Sequence, residues 1–204
     1  MNIKAVVFDY GQVISLPQDP QAIDRIARKA QVEREKFEPL LWAFRSEYDR
    51  GAVSFREYYK KIFSRLGADV SDSVIDELRA IDHDSWKNIN NETVKLMEEV
   101  KNAGYMLGIL SNMPHDFLSW ARKNIPVFAL PQVSVFSCEA GIIKPEPGIY
   151  KKLLSEAGLE GNELVFFDDV EENVKGARAL GIEAFLWKSA ESARTILLSL
   201  GVKL

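Results

Sequence analysis

The sequence predicts an α/β fold, namely a doubly wound, Rossmann-like parallel sheet with a small all-α domain inserted after the first strand. Three observations lead to this prediction. A short apolar run lies near the N-terminus, and from residue 91 onward similar runs alternate with helical patterns. Such alternation is typical of a parallel sheet that carries helices on both faces. The intervening stretch contains helical patterns and no convincing strand.

The first strand is predicted over residues 3–8. This run is short, apolar and rich in β-branched residues, and it stops at the polar turn Asp9-Tyr10-Gly11. A run of that length with a turn at its end favours a buried strand over a helix.

The inserted region begins with a helix start at Asp19 and Pro20, since Asp is a good N-cap and Pro suits the first helical position. Apolar residues then recur at helical spacing, and Ser54 and Glu57 form a capping box before a further helix. We therefore assign residues 17–88 to a helical cap domain and residues 1–16 and 89–204 to the α/β core.

The core pattern resumes with a helix over residues 93–100. Four further strands are predicted at residues 106–110, 133–136, 164–167 and 184–187. The remaining helices are predicted at residues 115–124, 147–157, 174–180 and 190–200.

Composition limits the function classes. The 204 residues suffice for a real core, and the net charge of −4 argues against a nucleic-acid-binding protein. No apolar stretch approaches membrane-spanning length, and the N-terminal run is too short for a signal peptide. A lone cysteine, Cys138, cannot form an internal disulfide and fits a reducing compartment. We expect a cytoplasmic monomer or homodimer with neither a nucleic-acid nor a membrane partner.

Polar residues stand at or just beyond four predicted strand ends: Asp9, Ser111-Asn112, Lys144 and Asp168-Asp169. Each alone has an ordinary explanation as a turn residue, a helix cap or a solvated lysine. The carboxyl ends of parallel strands, however, lie at one edge of a sheet, where ligands bind. Their joint placement therefore favours a single functional site.

The chemistry of this set points to phosphate. Clustered carboxylates repel one another unless a hard cation such as Mg²⁺ lies among them, and Mg²⁺ prefers oxygen ligands. A lysine offsets the charge of a dianionic substrate beside a carboxylate nucleophile. The hydroxyl and amide of Ser111-Asn112 can donate hydrogen bonds to phosphoryl oxygens without adding charge.

Four segments also carry a resemblance: FDYGQV at 8–13, LSN at 110–112, KPEPGIY at 144–150 and FFDDVEEN at 166–173. In this order, each after a strand, they resemble the four motifs of the haloacid-dehalogenase-like (HAD) superfamily. The insert at 17–88 resembles the cap that one branch of this family places after its first motif. The resemblance implies a Mg²⁺-dependent phosphatase acting on a small phosphorylated metabolite.

The resemblance also implies roles for individual residues. Asp9 would attack phosphorus and form an aspartyl-phosphate, which water then hydrolyses. Ser111 would hold a phosphoryl oxygen with Asn112 beside it, and Lys144 would neutralise the nucleophile and the phosphate.

For the metal, the resemblance implies binding by Asp169 together with Asp9 and the backbone carbonyl of Gly11. Asp168 would act directly or through a water molecule. Asn173 would orient Lys144 or its loop.

One position departs from the usual pattern of a family phosphatase. The residue two positions after the nucleophile is ordinarily an aspartate that donates and accepts protons, and here it is Gly11. General acid–base assistance contributes about 10²–10⁴ in rate, so its loss is serious.

Three interpretations of Gly11 stay open. The substrate has a good leaving group, as a sugar 1-phosphate does; the pattern D-x-G-[N/Q]-V resembles a branch that includes α-D-glucose-1-phosphate phosphatases, and we favour this interpretation. Another group, or the phosphate itself, carries the proton. Or the protein binds phosphate ligands or a partner without turnover. Phosphomutase and haloacid dehalogenase activities fit the motif less well.

The remaining candidates favour structural roles. His115 is close to Ser111 in sequence, but a surface position is favoured over a proton shuttle. His83 lies at the boundary of the insert and is assigned no role. Cys138 is expected to be a buried or half-buried small residue. Most of the insert's aromatic residues are expected in the cap core, namely Trp42, Phe44, Tyr48, Tyr58 and Tyr59.

Overall fold

A computed structural model describes residues 2–204 of the chain. Within this range, five strands form: β1 Ala5–Phe8, β2 Met106–Ser111, β3 Val133–Phe136, β4 Leu164–Asp168 and β5 Glu183–Leu186. The described residues also form eleven α-helices: α1 Pro20–Lys29, α2 Arg34–Ala43, α3 Arg45–Asp49, α4 Phe55–Arg65, α5 Asp72–Ser85, α6 Asn91–Asn102, α7 His115–Asn124, α8 Ser137–Ala140, α9 Pro147–Ala157, α10 Glu171–Arg178 and α11 Ala190–Ser199.

The five strands form one sheet in the order β3-β2-β1-β4-β5, with every neighbouring pair parallel. The prediction for β3 matches the observed bounds, and the other four strands shift by one or two residues at one or both ends. The predicted α/β fold class is therefore confirmed, with β1 at the centre of the sheet.

Alternate residues of β1 face opposite sides of the sheet. Val6 and Phe8 belong to an apolar cluster with residues of α6, α7 and α11, whereas Ala5 and Val7 belong to a second cluster with α9 and α10. This period of two is expected for a strand that is buried on both faces. Helices thus cover both sides, and the doubly wound arrangement is confirmed.

The insert has an apolar cluster of its own, built by α1, α2, α4 and α5 together with Tyr48 of α3. Asp19 caps α1 by accepting a hydrogen bond from the Gln21 amide at 2.9 Å, and Ser54 and Glu57 form the expected capping box at the start of α4. Both local predictions are confirmed. The short helix α3 was not predicted, and the domain division at residues 17 and 88 stays a prediction.

The two chain segments that connect the insert to the core run side by side. An antiparallel bridge joins Ser15 to Ile89, and the Leu16 amide donates to the Asn88 carbonyl at 2.7 Å. The insert therefore leaves and re-enters the core at one place, just beyond the carboxyl end of β1. No helix within residues 2–204 has the length and apolar character needed to cross a membrane.

Candidate active site

The topology of the sheet defines where a ligand site is expected. From β1 the chain passes outward to β2 and β3, and it then returns to the other side of β1 to form β4. Such a switch point opens a crevice at the carboxyl ends of the strands. Asp9 follows β1 there, and Asp168 ends the adjacent strand β4.

Asp9 is buried, and its two carboxylate oxygens differ. Oδ1 accepts one hydrogen bond from the Tyr10 amide at 2.7 Å and also contacts Lys144 Nζ at 2.9 Å. Oδ2 accepts no hydrogen bond from any residue in the range 2–204. Burial raises the pKa of Asp9 to about 7; Lys144 opposes this rise, and Asp168 and Asp169 add to it. The uncommitted Oδ2 is the oxygen that is available to act as a nucleophile.

The Lys144 ammonium is completely satisfied by the protein. Its three donors meet Asp168 Oδ2 at 2.6 Å, Asp9 Oδ1 at 2.9 Å and the Leu110 carbonyl at 3.1 Å. Burial by itself lowers the pKa of Lys144, but Asp168 and Asp9 raise it by more, so the group stays charged. Lys144 is thus a fixed positive charge between two carboxylates.

Asp168 is held as firmly as Lys144. Its Oδ1 accepts hydrogen bonds from the Val170 amide at 2.8 Å and from Asn173 Nδ2 at 2.9 Å, while Oδ2 faces Lys144. Asn173 therefore contacts Lys144 only through Asp168. A carboxylate with both oxygens already engaged favours an action through water over direct metal ligation.

Asp169 lies next to these groups and is less buried. Gln12 Nε2 donates a hydrogen bond to Asp169 Oδ2 at 2.7 Å. Burial raises the pKa of Asp169, Asp168 raises it further, and Lys144 lowers it. Sequence reasoning missed Gln12, whose backbone lies in the left-handed region with φ 57°. No local pattern indicated that this residue would reach across to the end of β4.

The carboxylates form a donor set that suits a hard divalent cation. One oxygen from each of Asp9, Asp168 and Asp169 lies within 4.8 Å of the other two. Three negative charges with one lysine leave a net charge of about −2, which Mg²⁺ would balance. The residues present therefore fit the metal that the sequence predicts. Ligation by the Gly11 carbonyl stays a prediction.

Ser111 and Asn112 differ in their availability. Ser111 is buried at the end of β2, the strand that pairs with β1. Asn112 Oδ1 accepts a hydrogen bond from the Lys144 amide at 2.7 Å, and its Nδ2 donates to the Lys144 carbonyl at 3.0 Å. Asn112 thus fixes the backbone that carries the lysine. Phosphate binding by either residue stays a prediction.

Gly11 opens onto the insert. A Cβ atom placed on Gly11 would have Trp86 Cζ3 as its nearest neighbour, at 4.0 Å. A side chain therefore has room at this position. The Tyr10 hydroxyl donates to the Trp86 carbonyl at 2.7 Å, which fixes Trp86 over the first motif.

The two histidines have different surroundings. His83, for which the sequence indicated no role, is buried and contacts Asp116 Oδ2 through Nε2 at 2.9 Å, while the Tyr48 hydroxyl donates to Asp116 Oδ1 at 2.5 Å. This network joins the insert to α7, so His83 has a structural role that the sequence did not indicate. His115 is exposed and lies against Gly51 of the insert. Cys138 is buried, as expected.

Comparisons with known proteins agree with this geometry. A family model described as haloacid dehalogenase-like hydrolase matches residues 3–181. The chain is 25% identical over 218 residues to mouse bifunctional epoxide hydrolase 2. The matched region covers 95% of this chain but only 38% of the mouse protein. A phosphatase of Mycobacterium tuberculosis is 26% identical over 194 residues, covering 91% of this chain and 88% of that protein.

A solved structure extends the similarity over nearly the whole chain. A HAD family enzyme of Bacteroides thetaiotaomicron superposes with a TM-score of 0.79 at 27% identity, covering 97% of this chain and 99% of that one. The same enzyme has been solved with magnesium and inorganic phosphate, and in that form it matches with a TM-score of 0.72 over 92% of this chain and 95% of that one. The chain belongs to the haloacid dehalogenase-like hydrolase family.

Proposed function

We propose that this haloacid dehalogenase-like hydrolase is a Mg²⁺-dependent phosphatase that hydrolyses a small phosphorylated metabolite, with Asp9 as its nucleophile. The observation that carries the proposal is the contact of Asp9 with Lys144 and, through it, with Asp168 at the ends of β1 and β4. Relatives support it, since one is named a phosphatase and another has been solved with magnesium and inorganic phosphate.

In the proposed reaction, Asp9 Oδ2 attacks the phosphorus atom. The bond from phosphorus to the ester oxygen breaks, and the alkoxide departs with the electron pair and takes a proton from solvent water. A water molecule then attacks phosphorus, the bond between phosphorus and Asp9 Oδ2 breaks, and a proton of that water passes to the solvent, which releases inorganic phosphate and restores Asp9. Lys144 holds Oδ1 at 2.9 Å, so it fixes the orientation of the carboxylate through both events.

Asp169 and Asp9 would hold the cation, with Asp168 acting through water and the Gly11 carbonyl as a further ligand. When bound, Mg²⁺ would offset the negative charge that phosphoryl oxygens bring to three carboxylates. Ser111 would donate its hydroxyl to a phosphoryl oxygen. Asn112 would act chiefly by holding the Lys144 backbone.

The substrate is proposed to have a good leaving group, as sugar 1-phosphates do. Gly11 supplies no proton to the departing oxygen, and the neighbouring Gln12 is an amide bonded to Asp169. A leaving group that needs little protonation loses least from this arrangement. The lack of a proton donor at Gly11 also favours the second candidate, which is a protein that binds a phosphate ligand or a partner without turnover.

One assay separates the two candidates. The purified chain is incubated with Mg²⁺, an aryl phosphate and a panel of sugar phosphates, and release of inorganic phosphate is measured with and without EDTA. We expect metal-dependent release that Asp9→Asn lowers by at least about 10³-fold, because the amide cannot act as the nucleophile. Matching circular dichroism spectra would confirm that the variant is folded. Absence of release from every good-leaving-group ester would favour the binding protein.

A further inference from the structure

A cavity of about 60 Å³ adjoins the candidate active site. The core contributes the first motif and the end of β2, and the insert contributes Arg45 and Trp86. The core residues that line the cavity are Tyr10, Gly11, Ser111, Asn112 and the apolar Met113 and Phe117. Because Gly11 has no side chain, the cavity extends from the expected position of the phosphate to the Trp86 ring. It therefore lies where the alcohol portion of a phosphate ester would project.

Arg45 brings unused hydrogen-bond donors to this cavity. Its side chain is 17% exposed, and its Nε donates to Asp49 Oδ1 at 2.8 Å. Within the described part of the chain, no other acceptor forms a hydrogen bond with the guanidinium. The nearby Tyr58 hydroxyl donates instead to the Leu41 carbonyl. Both Nη groups are left for a ligand.

Trp86 closes the cavity on the insert side with its ring, and Cζ3 is the ring atom nearest to Gly11. The indole Nε1 lies on the opposite edge of the ring and is buried, so it does not face the cavity. Trp86 therefore contributes apolar surface, and on the insert side the hydrogen-bond donors for a ligand belong to Arg45.

The charge around Arg45 argues against a second anionic group on the ligand. Burial by itself lowers the pKa of Arg45, but Asp49 and then Asp82 help to raise it above its ordinary value. Two carboxylates thus compensate one guanidinium. The cavity also lies beside three further carboxylates with a single lysine. An additional phosphate would find no net positive charge here.

The size of the cavity sets the scale of the leaving group. A cavity needs about 10–15 Å³ of free volume to hold one water molecule. The cavity of about 60 Å³ therefore has room for roughly four to six non-hydrogen atoms of that size. The cavity therefore holds the part of the leaving group nearest the phosphate, which is about half of a hexose.

We infer that Arg45 recognises hydroxyl groups on a small, uncharged leaving group that lies against the Trp86 ring, so that the preferred substrates are monophosphates of small polyhydroxy compounds, sugar 1-phosphates among them. This inference rests on the proposed phosphatase function and specifies its substrate class. Arg45 becomes the residue that distinguishes hydroxylated esters from plain aryl or alkyl esters.

The test compares kcat/KM for three kinds of ester: polyol and sugar monophosphates, an aryl phosphate without hydroxyl groups, and a sugar bisphosphate. The variant is Arg45→Met combined with Asp49→Asn, which removes both charges of this ion pair, while Asp82 keeps the hydrogen bond from the Tyr59 hydroxyl at 3.3 Å. Arg65→Ala, at an exposed position at the end of α4, is the matched control.

We expect the double variant to lose at least about tenfold in kcat/KM on polyol monophosphates and less than about threefold on the aryl ester, since only the former offer oxygens to the guanidinium. An equal loss on both esters, or none on the polyol esters, overturns the role of Arg45 while leaving the phosphatase function intact. If the wild-type protein prefers the sugar bisphosphate, the inference that the leaving group is uncharged is overturned. No turnover of any ester by the wild type overturns the proposed function and this inference with it.

Discussion

The two walls of the cavity differ in how completely their polar groups are satisfied. On the core side, directly behind the lining residues, all three donors of Lys144 and both oxygens of Asp168 have protein partners, and we call this side the core wall. On the insert wall, Arg45 donates one side-chain hydrogen bond, from Nε to Asp49, and its Nη donors are unused among the described residues. Lys144 and Asp168 are thus held in place before any ligand arrives, which is the arrangement expected of a preorganised site.

This difference assigns separate tasks to the two regions. Under the proposed function, the core wall would fix the charges that act on phosphorus, whatever is attached to the phosphate. The insert wall, where Arg45 keeps unused donors, would distinguish one ester from another. Three substitutions test this division.

The largest effect is expected for Lys144→Met, which breaks the core wall. Removing the cation leaves Asp9 and Asp168 buried without compensation, so the free energy of unfolding should fall by about 3–5 kcal/mol. Activity on every ester should fall together, by about 10²–10³-fold. Denaturant unfolding and steady-state kinetics measure both changes.

Lys151→Met is the control for this substitution, because Lys151 is exposed on α9. Its stability should stay within about 0.5 kcal/mol of the wild type. If Lys144→Met also left the free energy of unfolding within about 0.5 kcal/mol of the wild type, Asp9 and Asp168 would not depend on the charge of Lys144.

An intermediate effect is expected for Gly11→Asp, which restores a proton donor between the two walls. The nearest neighbour of the new Cβ is Trp86 at 4.0 Å, so the side chain fits but fills part of the cavity. Turnover of alkyl phosphates should rise by up to about 10²-fold, because poor leaving groups need protonation. The gain should be smaller on polyol esters, which need the same space.

Gly11→Asn is the matched control, since it has nearly the same shape and carries no acidic proton. Parallel kinetics of the two variants on an alkyl and an aryl phosphate separate proton donation from cavity filling. A folded Asp variant that gains nothing over the Asn variant would contradict the view that only the acid is missing.

The smallest effect is expected for Asn173→Ala, which removes one support of the core wall. Asn173 Nδ2 holds Asp168 Oδ1 at 2.9 Å, and Asp168 in turn holds Lys144. Loss of such an outer hydrogen bond typically costs about tenfold in activity or metal affinity. Calorimetric titration with Mg²⁺ should show weaker binding than in Asn102→Ala, a surface control; unchanged affinity would show that Asp168 does not need this support.

Much of the fold follows from local patterns. Apolar runs that alternate with helical patterns place the elements of the core, and Asp19 and the Ser54–Glu57 box place two helix starts in the insert. The short helix α3 was missed because five residues carry too little periodic signal. The role of His83 was missed because its partner Asp116 lies 33 residues away on another element.

The sequence by itself determined which residues would stand at the carboxyl ends of β1, β2 and β4. Strand ends are local features, and parallel strands bring their ends to one edge of the sheet. Only the tertiary structure decided that Gln12 would contact Asp169, that Asn112 would bind the Lys144 backbone and that Arg45 would reach the cavity. Those contacts depend on side-chain direction and on how the insert sits over β1, which residue spacing along a single chain does not encode.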